Sequence, residues 1–135
     1  MALALADGGG ELPTNKLLTG CSILIVEDEY LIARDIGSAV TASGGEVVGL
    51  CPDLPTALDL IDTLQPLHGA VIDINLRGIR AFALADALRK RGIGFVIATG
   101  YDVNILPRAL AHAPRCVKPI DYGQLVAMLH DEIGP

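Results

Sequence analysis

The sequence contains no tryptophan and few aromatic residues of any kind, with two Phe and three Tyr among 135 residues. Its apolar content is nevertheless 51%, so the core must consist mainly of Val, Ile, Leu and Ala. These aliphatic residues are typical of the buried strands of parallel sheets. The length suits one domain that is large enough to enclose a core of its own.

Positive charge is also scarce: 10 Lys and Arg residues stand against 16 Asp and Glu residues, for a formal net charge of −6. No basic stripe offsets this charge, which argues against nucleic acid as a direct partner. No apolar run approaches the roughly 20 residues of a membrane span, and residues 1–5 lack a basic leader. We therefore expect a cytoplasmic protein with neither a membrane nor a nucleic-acid partner.

Several common site motifs are absent from the sequence. It has no Gly-rich phosphate loop, no Ser-His-Asp set and no Cys/His metal cluster. Its three cysteines, Cys21, Cys51 and Cys116, fall at or near predicted strand ends and have no paired or metal-like spacing. We expect them to be reduced, buried thiols.

The apolar pattern predicts a doubly wound parallel sheet of five strands flanked by five helices. The predicted strands are Cys21–Val26, Glu46–Leu50, Gly69–Ile72, Gly94–Ala98 and Arg115–Val117. Four helices carry the apolar stripes Ile32, Ile36, Ala39 and Val40; Ala57, Ile61 and Leu64; Ala81, Leu84, Ala85 and Leu88; and Leu125, Met128, Leu129 and Ile133. A weaker helix is predicted over Val103–Ala113, with Pro107 in its first turn and Pro114 beyond its end.

Local signals mark the boundaries of these elements. Asp53 opens the second helix, and Asp121 begins the last one with a capping-box-like pattern. Gly92 suits a left-handed cap after the third helix. Residues 1–19 include three consecutive glycines and predict a flexible N-terminal tail, which leaves residues 20–135 as the domain.

Polar side chains follow four of the five predicted strands. Glu27 and Asp28 follow the first strand, Asp73 the central one, Thr99 the fourth and Lys118 the fifth. Because the carboxyl ends of parallel strands lie along one edge of a sheet, these side chains should meet there. Three carboxylates in a small site require a cation, and hard oxygen ligands suit magnesium. With a lysine and a hydroxyl donor added, the set is typical of a site where a carboxylate accepts a phosphoryl group.

Each of these residues also has an ordinary structural explanation when it is taken alone. The acids at 27–29 could be the solvated start of a helix, where the dipole favours negative charge. Asp73 could cap the loop that follows it, a lone Thr at a strand end usually forms a turn, and a lone Lys is usually solvated. Their occurrence together, in order and at strand ends only, favours the site.

On these residues the chain resembles a receiver domain of two-component signalling, the response-regulator family. The resemblance covers residues 20–133 and depends on an acidic segment, a phosphoacceptor, a hydroxyl residue and a Lys-Pro pair: Leu24–Glu29, Asp73, Thr99 and Lys118-Pro119. It implies a flavodoxin-like fold with strand order 2-1-3-4-5 and a cis peptide bond before Pro119.

The resemblance also implies the roles of the site residues. Glu27, Asp28, Asp73 and the backbone carbonyl of Asn75 would hold Mg²⁺ or another divalent cation, while Thr99, Lys118 and Tyr101 would contact phosphate or act in switching. A histidine kinase or phosphotransfer protein would supply the phosphoryl group, and an unknown downstream protein would receive the signal. The chain would not be an enzyme beyond its own phosphorylation and dephosphorylation, and no effector or DNA-binding element is expected.

Residues 97–101, Ile-Ala-Thr-Gly-Tyr, are similar to the Phe-Ala-Thr-Gly-X-Tyr signature of the FAT GUY subgroup, with Ile97 in place of Phe. This subgroup occurs in stand-alone alphaproteobacterial receivers and in stress-response regulators, which implies a role in a stress-response phosphorelay. Arg115 occupies the position of the usual switch aromatic. We therefore predict that Tyr101 takes over this role and that Arg115 stays at the surface with its head solvated.

Two other functions fit the same architecture. A pseudo-receiver would serve as a constitutive protein-binding module without phosphorylation, and its signature would be the loss of an acid, the Thr or the Lys; none is lost here. A nucleotide- or flavin-binding domain would need a phosphate loop or ring-stacking residues, and the sequence offers neither.

Overall fold

The computed structural model describes residues 15–100 and 106–134. In these residues strands and helices alternate along the chain, as the apolar periodicity predicts. The strands are β1 (Ser22–Val26), β2 (Glu46–Cys51), β3 (Gly69–Ile72), β4 (Asn75–Leu76), β5 (Ile79–Arg80), β6 (Gly94–Thr99) and β7 (Arg115–Val117). The α-helices are α1 (Tyr30–Ala42), α2 (Leu54–Thr63), α3 (Phe82–Lys90) and α4 (Tyr122–Ile133), and a short 3-10 helix spans Arg108–Leu110.

Five parallel strands form one sheet in the order β2-β1-β3-β6-β7. This order confirms the predicted 2-1-3-4-5 pattern, because β6 and β7 are the fourth and fifth strands of the sheet. The two short strands β4 and β5 form a separate antiparallel hairpin between β3 and α3. In the register of the sheet, Val26 lies beside Ile72 and Ile72 beside Ile97, so β1 and β3 end at the same level and β6 continues for two more residues.

Apolar side chains cover both faces of the sheet. On one face, the sheet packs against α2 and α3. This core includes the strand residues Leu24, Val26, Ile72 and Ile97 and the helix residues Ile61, Leu84 and Leu88. On the other face, the sheet packs against α1 and α4. This core includes the strand residues Ile23, Ile25, Val71 and Val96 and the helix residues Ile36, Val40, Leu125 and Leu129. Two-sided burial is what requires near-continuous aliphatic strands in a parallel sheet.

Capping residues mark three helix boundaries where the sequence predicts them. Asp53 Oδ1 accepts a hydrogen bond from the Thr56 N–H at 2.8 Å, and Asp121 Oδ1 accepts one from the Gln124 N–H at 3.1 Å. Gly92 follows α3 with φ of +70°, the left-handed conformation that favours glycine. These contacts satisfy amide groups that the first turn of a helix leaves without partners.

The predicted total of five helices is wrong for the described residues, in which four α-helices occur. Of the predicted Val103–Ala113 helix, residues 103–105 lie outside the described residues, and residues 106–113 contain only the 3-10 helix. Pro107 is extended, with ψ of 157°, and it has no N–H to donate. Since Pro114 closes the segment, too few residues remain to repay the cost of helix nucleation.

Residues of the predicted N-terminal tail contact the end of α1. Residues 1–14 of the predicted tail lie outside the described residues, but Leu18 is fully buried in the core on the face of the sheet covered by α1 and α4. The Leu18 N–H donates to the Ser43 carbonyl at 2.9 Å, and Lys16 Nζ donates to the Ala42 carbonyl at 3.2 Å. Lys16 and Leu18 therefore satisfy carbonyl groups at the end of α1, and the predicted domain start at residue 20 stays a prediction.

His68 ties the amino-terminal ends of β1 and β3 together. Its N–H donates to the Ser22 carbonyl, and its Nδ1 accepts the Ser22 N–H, both at 2.9 Å. The three cysteines are free thiols; Cys51 and Cys116 are buried as predicted, and Cys21 is partly exposed. None of the helices in residues 15–100 and 106–134 combines the length and apolarity needed to cross a membrane.

Candidate functional site: an acidic centre at the carboxyl edge of the sheet

Strand register places two acids side by side at the carboxyl edge of the sheet. Val26 and Ile72 are paired where β1 and β3 end, so the next residues, Glu27 and Asp73, leave the sheet together. The Asp73 N–H donates to the Val26 carbonyl at 2.8 Å, which extends the pairing by one residue. The side chains that the sequence predicts to meet are therefore fixed by backbone hydrogen bonds of the central strands.

Glu27, Asp28 and Asp73 form a single acidic cluster. Each residue offers a carboxylate oxygen, and these oxygens lie within 4.8 Å of one another. Glu27 is 3% exposed and Asp73 is 5% exposed, whereas Asp28 is half-buried. Like charges at this distance repel strongly when they are removed from water, so the cluster needs positive charge.

Lys118 supplies part of that charge. Its Nζ lies 2.6 Å from Glu27 Oε1 and 3.0 Å from Asp73 Oδ2. Burial alone would lower the pKa of Lys118, but the hydrogen bonds and charges of Glu27 and Asp73 outweigh burial and raise it. The lysine is positioned by the Lys118 N–H, which donates to the Thr99 carbonyl at 2.9 Å, and the predicted cis bond before Pro119 is confirmed.

One lysine does not balance the acids of the cluster. Burial raises the pKa of Glu27 from 4.5 to about 7, and the charge of Asp73 adds to this effect, although the contact with Lys118 opposes it. A raised pKa means that the folded state binds a proton more tightly than the unfolded state does. Ionised Glu27 therefore costs stability, and this cost grows as the pH rises from 4.5 through 7.

We predict that Glu27→Gln stabilises the protein when no divalent cation is present. In EDTA at pH 8 the free energy of unfolding should rise by about 1 to 3 kcal/mol, because Gln resembles the protonated acid and Lys118 keeps Asp73 as its partner. Denaturant unfolding at pH 5 and pH 8 measures the effect, which should be much smaller at pH 5. A variant less stable than the wild type at pH 8 would mean that the ion pair with Lys118 outweighs the burial of Glu27.

Thr99 and Asn75 complete the site from two sides. Thr99 ends β6 and is buried, beside the Val117 that precedes Lys118. The Asn75 N–H donates to Asp73 Oδ1 at 3.0 Å. The Asn75 side-chain Oδ1 is buried without a hydrogen-bond partner among the described residues. The metal contact predicted for the Asn75 backbone carbonyl stays a prediction, and Tyr101 lies outside the described residues.

The β4–β5 hairpin forms one wall of the site and was not predicted from the sequence. The Arg77 N–H at its tip donates to Asp28 Oδ2 at 3.0 Å. Arg77 and Gly78 line a cavity of about 490 Å³ together with Asp28, Asp73 and Lys118. The turn residues Arg77 and Gly78 lack the Asn or Asp that usually signals a two-residue hairpin turn, and strands of two residues are too short to show a periodicity.

Arg115 was predicted to remain at the surface with a solvated head. It is half-buried, and its Nη1 donates to the Ala111 carbonyl at 3.2 Å. The guanidinium therefore has a protein acceptor in the segment that follows β6. Since Tyr101 is outside the described residues, its proposed switch role stays a prediction.

The donor set fits a magnesium ion. It consists of three carboxylates with oxygens close together, a neighbouring buried amide oxygen without a donor, and an excess of negative charge over Lys118. Hard oxygen ligands with room for water are what Mg²⁺ prefers. Glu27, Asp28 and Asp73 are the residues that would hold it.

Comparison with known proteins identifies relatives among solved structures, although no protein-family model and no curated protein matches the chain. SdrG from Sphingomonas melonis Fr1 is 32% identical with a TM-score of 0.71; the match covers 84% of this chain and 97% of SdrG. The response regulator PhyR from Brucella abortus is 24% identical with a TM-score of 0.71 over 87% of this chain. The chain spans about half the length of that PhyR, with 49% covered. The receiver domain of PhyR from Erythrobacter litoralis is 17% identical with a TM-score of 0.75, covering 85% of this chain and 91% of that domain.

Fold and site together define a doubly wound parallel domain with an acidic centre and a lysine at the carboxyl edge of its sheet. The chain belongs to the response-regulator receiver family, as its 32% identity to SdrG over most of both chains shows. The family resemblance predicted from the sequence is therefore confirmed. Membership of the FAT GUY subgroup stays a prediction of the sequence.

Proposed function

We propose that the chain is a response regulator that accepts a phosphoryl group on Asp73 in a magnesium-dependent reaction. The observation that carries the proposal is the environment of Asp73: its carboxylate is buried between two other acids and lies 3.0 Å from Lys118 Nζ. A carboxylate in this setting is an acyl-phosphate acceptor with a cation already in place for the transferred group.

The transfer follows from the positions of the side chains. An oxygen of Asp73 attacks phosphorus, the P–N bond to the donor's imidazole breaks, and the imidazole takes up a proton from solvent as it leaves. The Asn75 N–H, which donates to Asp73 Oδ1, orients the attacking carboxylate. Lys118 Nζ is placed to donate to a phosphoryl oxygen. Magnesium, when bound by Glu27, Asp28 and Asp73, neutralises negative charge on the carboxylates and the phosphoryl oxygens.

Signalling would depend on the surface that phosphorylation changes. Thr99 ends the strand beside Lys118, and its hydroxyl is the candidate donor that follows the new phosphoryl oxygens. We propose that a histidine kinase or phosphotransfer protein is the donor and that the phosphorylated chain signals to another protein. Its own catalysis is limited to its phosphorylation and dephosphorylation. A role in a stress-response phosphorelay rests on the sequence resemblance.

A mass measurement tests the proposal directly. Incubation with phosphoramidate and Mg²⁺ should add the mass of one phosphoryl group to the intact chain, and EDTA should prevent the addition because the acids repel an anionic donor without a cation. Samples taken over a time course guard against rapid hydrolysis. No mass increase with several small donors would overturn the proposal and favour the pseudo-receiver, which binds partners without phosphorylation.

A further inference from the structure

The β4–β5 hairpin is a rigid element beside the acidic cluster. Leu76 pairs with Ile79 across a two-residue turn formed by Arg77 and Gly78. Both turn residues have positive φ, 53° and 85°, which is the signature of a type I′ hairpin turn. The buried Leu76 and the Ala81 N–H, which donates to the Ile74 carbonyl at 2.7 Å, attach the base of the hairpin to the core.

Arg77 is held in a conformation that its side chain does not favour. It is the one non-glycine residue with positive φ in the part of the chain that the structure describes, and such backbone is uncommon outside Gly, Asn and Asp. Backbone strain of this kind persists where the surrounding structure enforces it, often at functional sites. Here the enforced conformation points the Arg77 N–H at Asp28 Oδ2, 3.0 Å away and 49 residues earlier in the chain.

Among the described residues, the Arg77 N–H is therefore the donor that fixes Asp28, the least buried acid of the cluster. Glu27 and Asp73 are held by Lys118, and Glu27 Oε2 also accepts the Glu29 N–H at 3.2 Å. Asp28 is only half-buried and needs another restraint to stay near them. Hydrogen bonds to ligand carboxylates orient the ligand, and their loss typically lowers metal affinity about 10- to 100-fold.

We propose that the β4–β5 hairpin positions Asp28 through the Arg77 backbone N–H and thereby sets the affinity of the acidic cluster for a divalent cation. This inference rests on the proposed function, because it concerns the same magnesium centre. Arg77 acts as a positioning residue through its main chain, and its guanidinium is not required for the effect.

The substitution Gly78→Val tests the inference. A Cβ at Gly78 meets no atom within 4 Å, so Gly78→Val acts through backbone strain at φ of +85° and not through a steric clash. Gly92→Val is the matched control, since Gly92 has φ of +70° and equally open surroundings but lies at the opposite edge of the sheet. Both variants should lose a similar amount of thermal stability. Only Gly78→Val should weaken Mg²⁺ binding, by about tenfold, in calorimetric titration with MgCl₂.

Arg77→Asn separates the main chain from the side chain. Asn tolerates positive φ and keeps the N–H, so its Mg²⁺ affinity should equal or exceed that of the wild type, because a positive charge near the cation is removed. If the valine variants do not fold, Gly78→Ala and Gly92→Ala give the same comparison at lower strain. Equal affinity in the Gly78 and Gly92 variants, or a tenfold loss in Arg77→Asn, overturns the positioning role alone. A wild-type chain that does not bind Mg²⁺ overturns the proposed function as well.

Discussion

Asp73→Asn is expected to abolish phosphoryl uptake from phosphoramidate and Mg²⁺ completely. The amide keeps the shape of the carboxylate. Its oxygen can still accept a hydrogen bond from the Asn75 N–H, which in the wild-type chain donates to Asp73 Oδ1 at 3.0 Å. It is a far weaker nucleophile than a carboxylate, and it contributes no negative charge for a cation. Intact-mass measurement after incubation with the donor gives the result, and circular dichroism confirms that the variant is folded.

Asp53→Asn is the matched control for this variant. Asp53 is a partly exposed acid that caps α2 through the Thr56 N–H, and Asn is an equally good residue at that position. This control should take up the phosphoryl group as the wild type does. Phosphoryl mass on the Asp73→Asn chain would show that the acceptor is another residue and would overturn the role proposed for Asp73.

Lys118→Met is expected to cause the largest loss of stability among substitutions at the site. Removal of the Lys118 ammonium group leaves Glu27 and Asp73 buried without the cation that contacts both of them. Breaking a buried ion pair by removing one partner costs about 3 kcal/mol or more. In EDTA at pH 8 the free energy of unfolding should fall by about this amount. The loss should shrink toward pH 5, because Glu27, whose pKa is about 7, then binds a proton.

Two comparisons distinguish this effect from a general loss of charge. Mg²⁺ should restore part of the stability of Lys118→Met, since a cation between the carboxylates replaces the missing charge. Lys90→Met removes an exposed pair with Asp86 and should cost no more than about 0.5 kcal/mol. A Lys118→Met chain as stable as the wild type in EDTA at pH 8 would mean that water solvates the cluster despite its burial.

The sheet was predictable because its pattern depends on long-range burial that leaves a simple trace in the sequence. Val71 and Ile72 are apolar since both faces of β3 are covered, and Asp73 interrupts that run at the carboxyl edge. The described part of the predicted fifth helix, residues 106–113, was mispredicted for a local reason. Leu106 and Leu110 suggest helical spacing, but Pro107 and Pro114 leave too little chain for a helix between them.

The side chains of the site could be predicted from the sequence, but the backbone hydrogen bonds that position them could not. The order of Glu27, Asp73 and Lys118 along alternating strands already places them at one edge. By contrast, the contact from the Arg77 N–H to Asp28 joins a main-chain group to a distant side chain. A backbone donor carries no residue-type signal, so no sequence pattern identifies it. The contact from Arg115 to the Ala111 carbonyl was missed for the same reason.

The hydrogen bond from the Ser22 N–H to His68 Nδ1 has a consequence for phosphoryl chemistry in this chain. Because Nδ1 is an acceptor at 2.9 Å, the neutral ring carries its proton on Nε2. An imidazole nitrogen attacks phosphorus only through a free lone pair. In this tautomer the lone pair of Nδ1 is engaged by the amide, and that of Nε2 is replaced by the N–H bond. His68 is therefore not a nucleophile while the fold is intact, and phosphoryl mass gained by the native chain does not come from this imidazole.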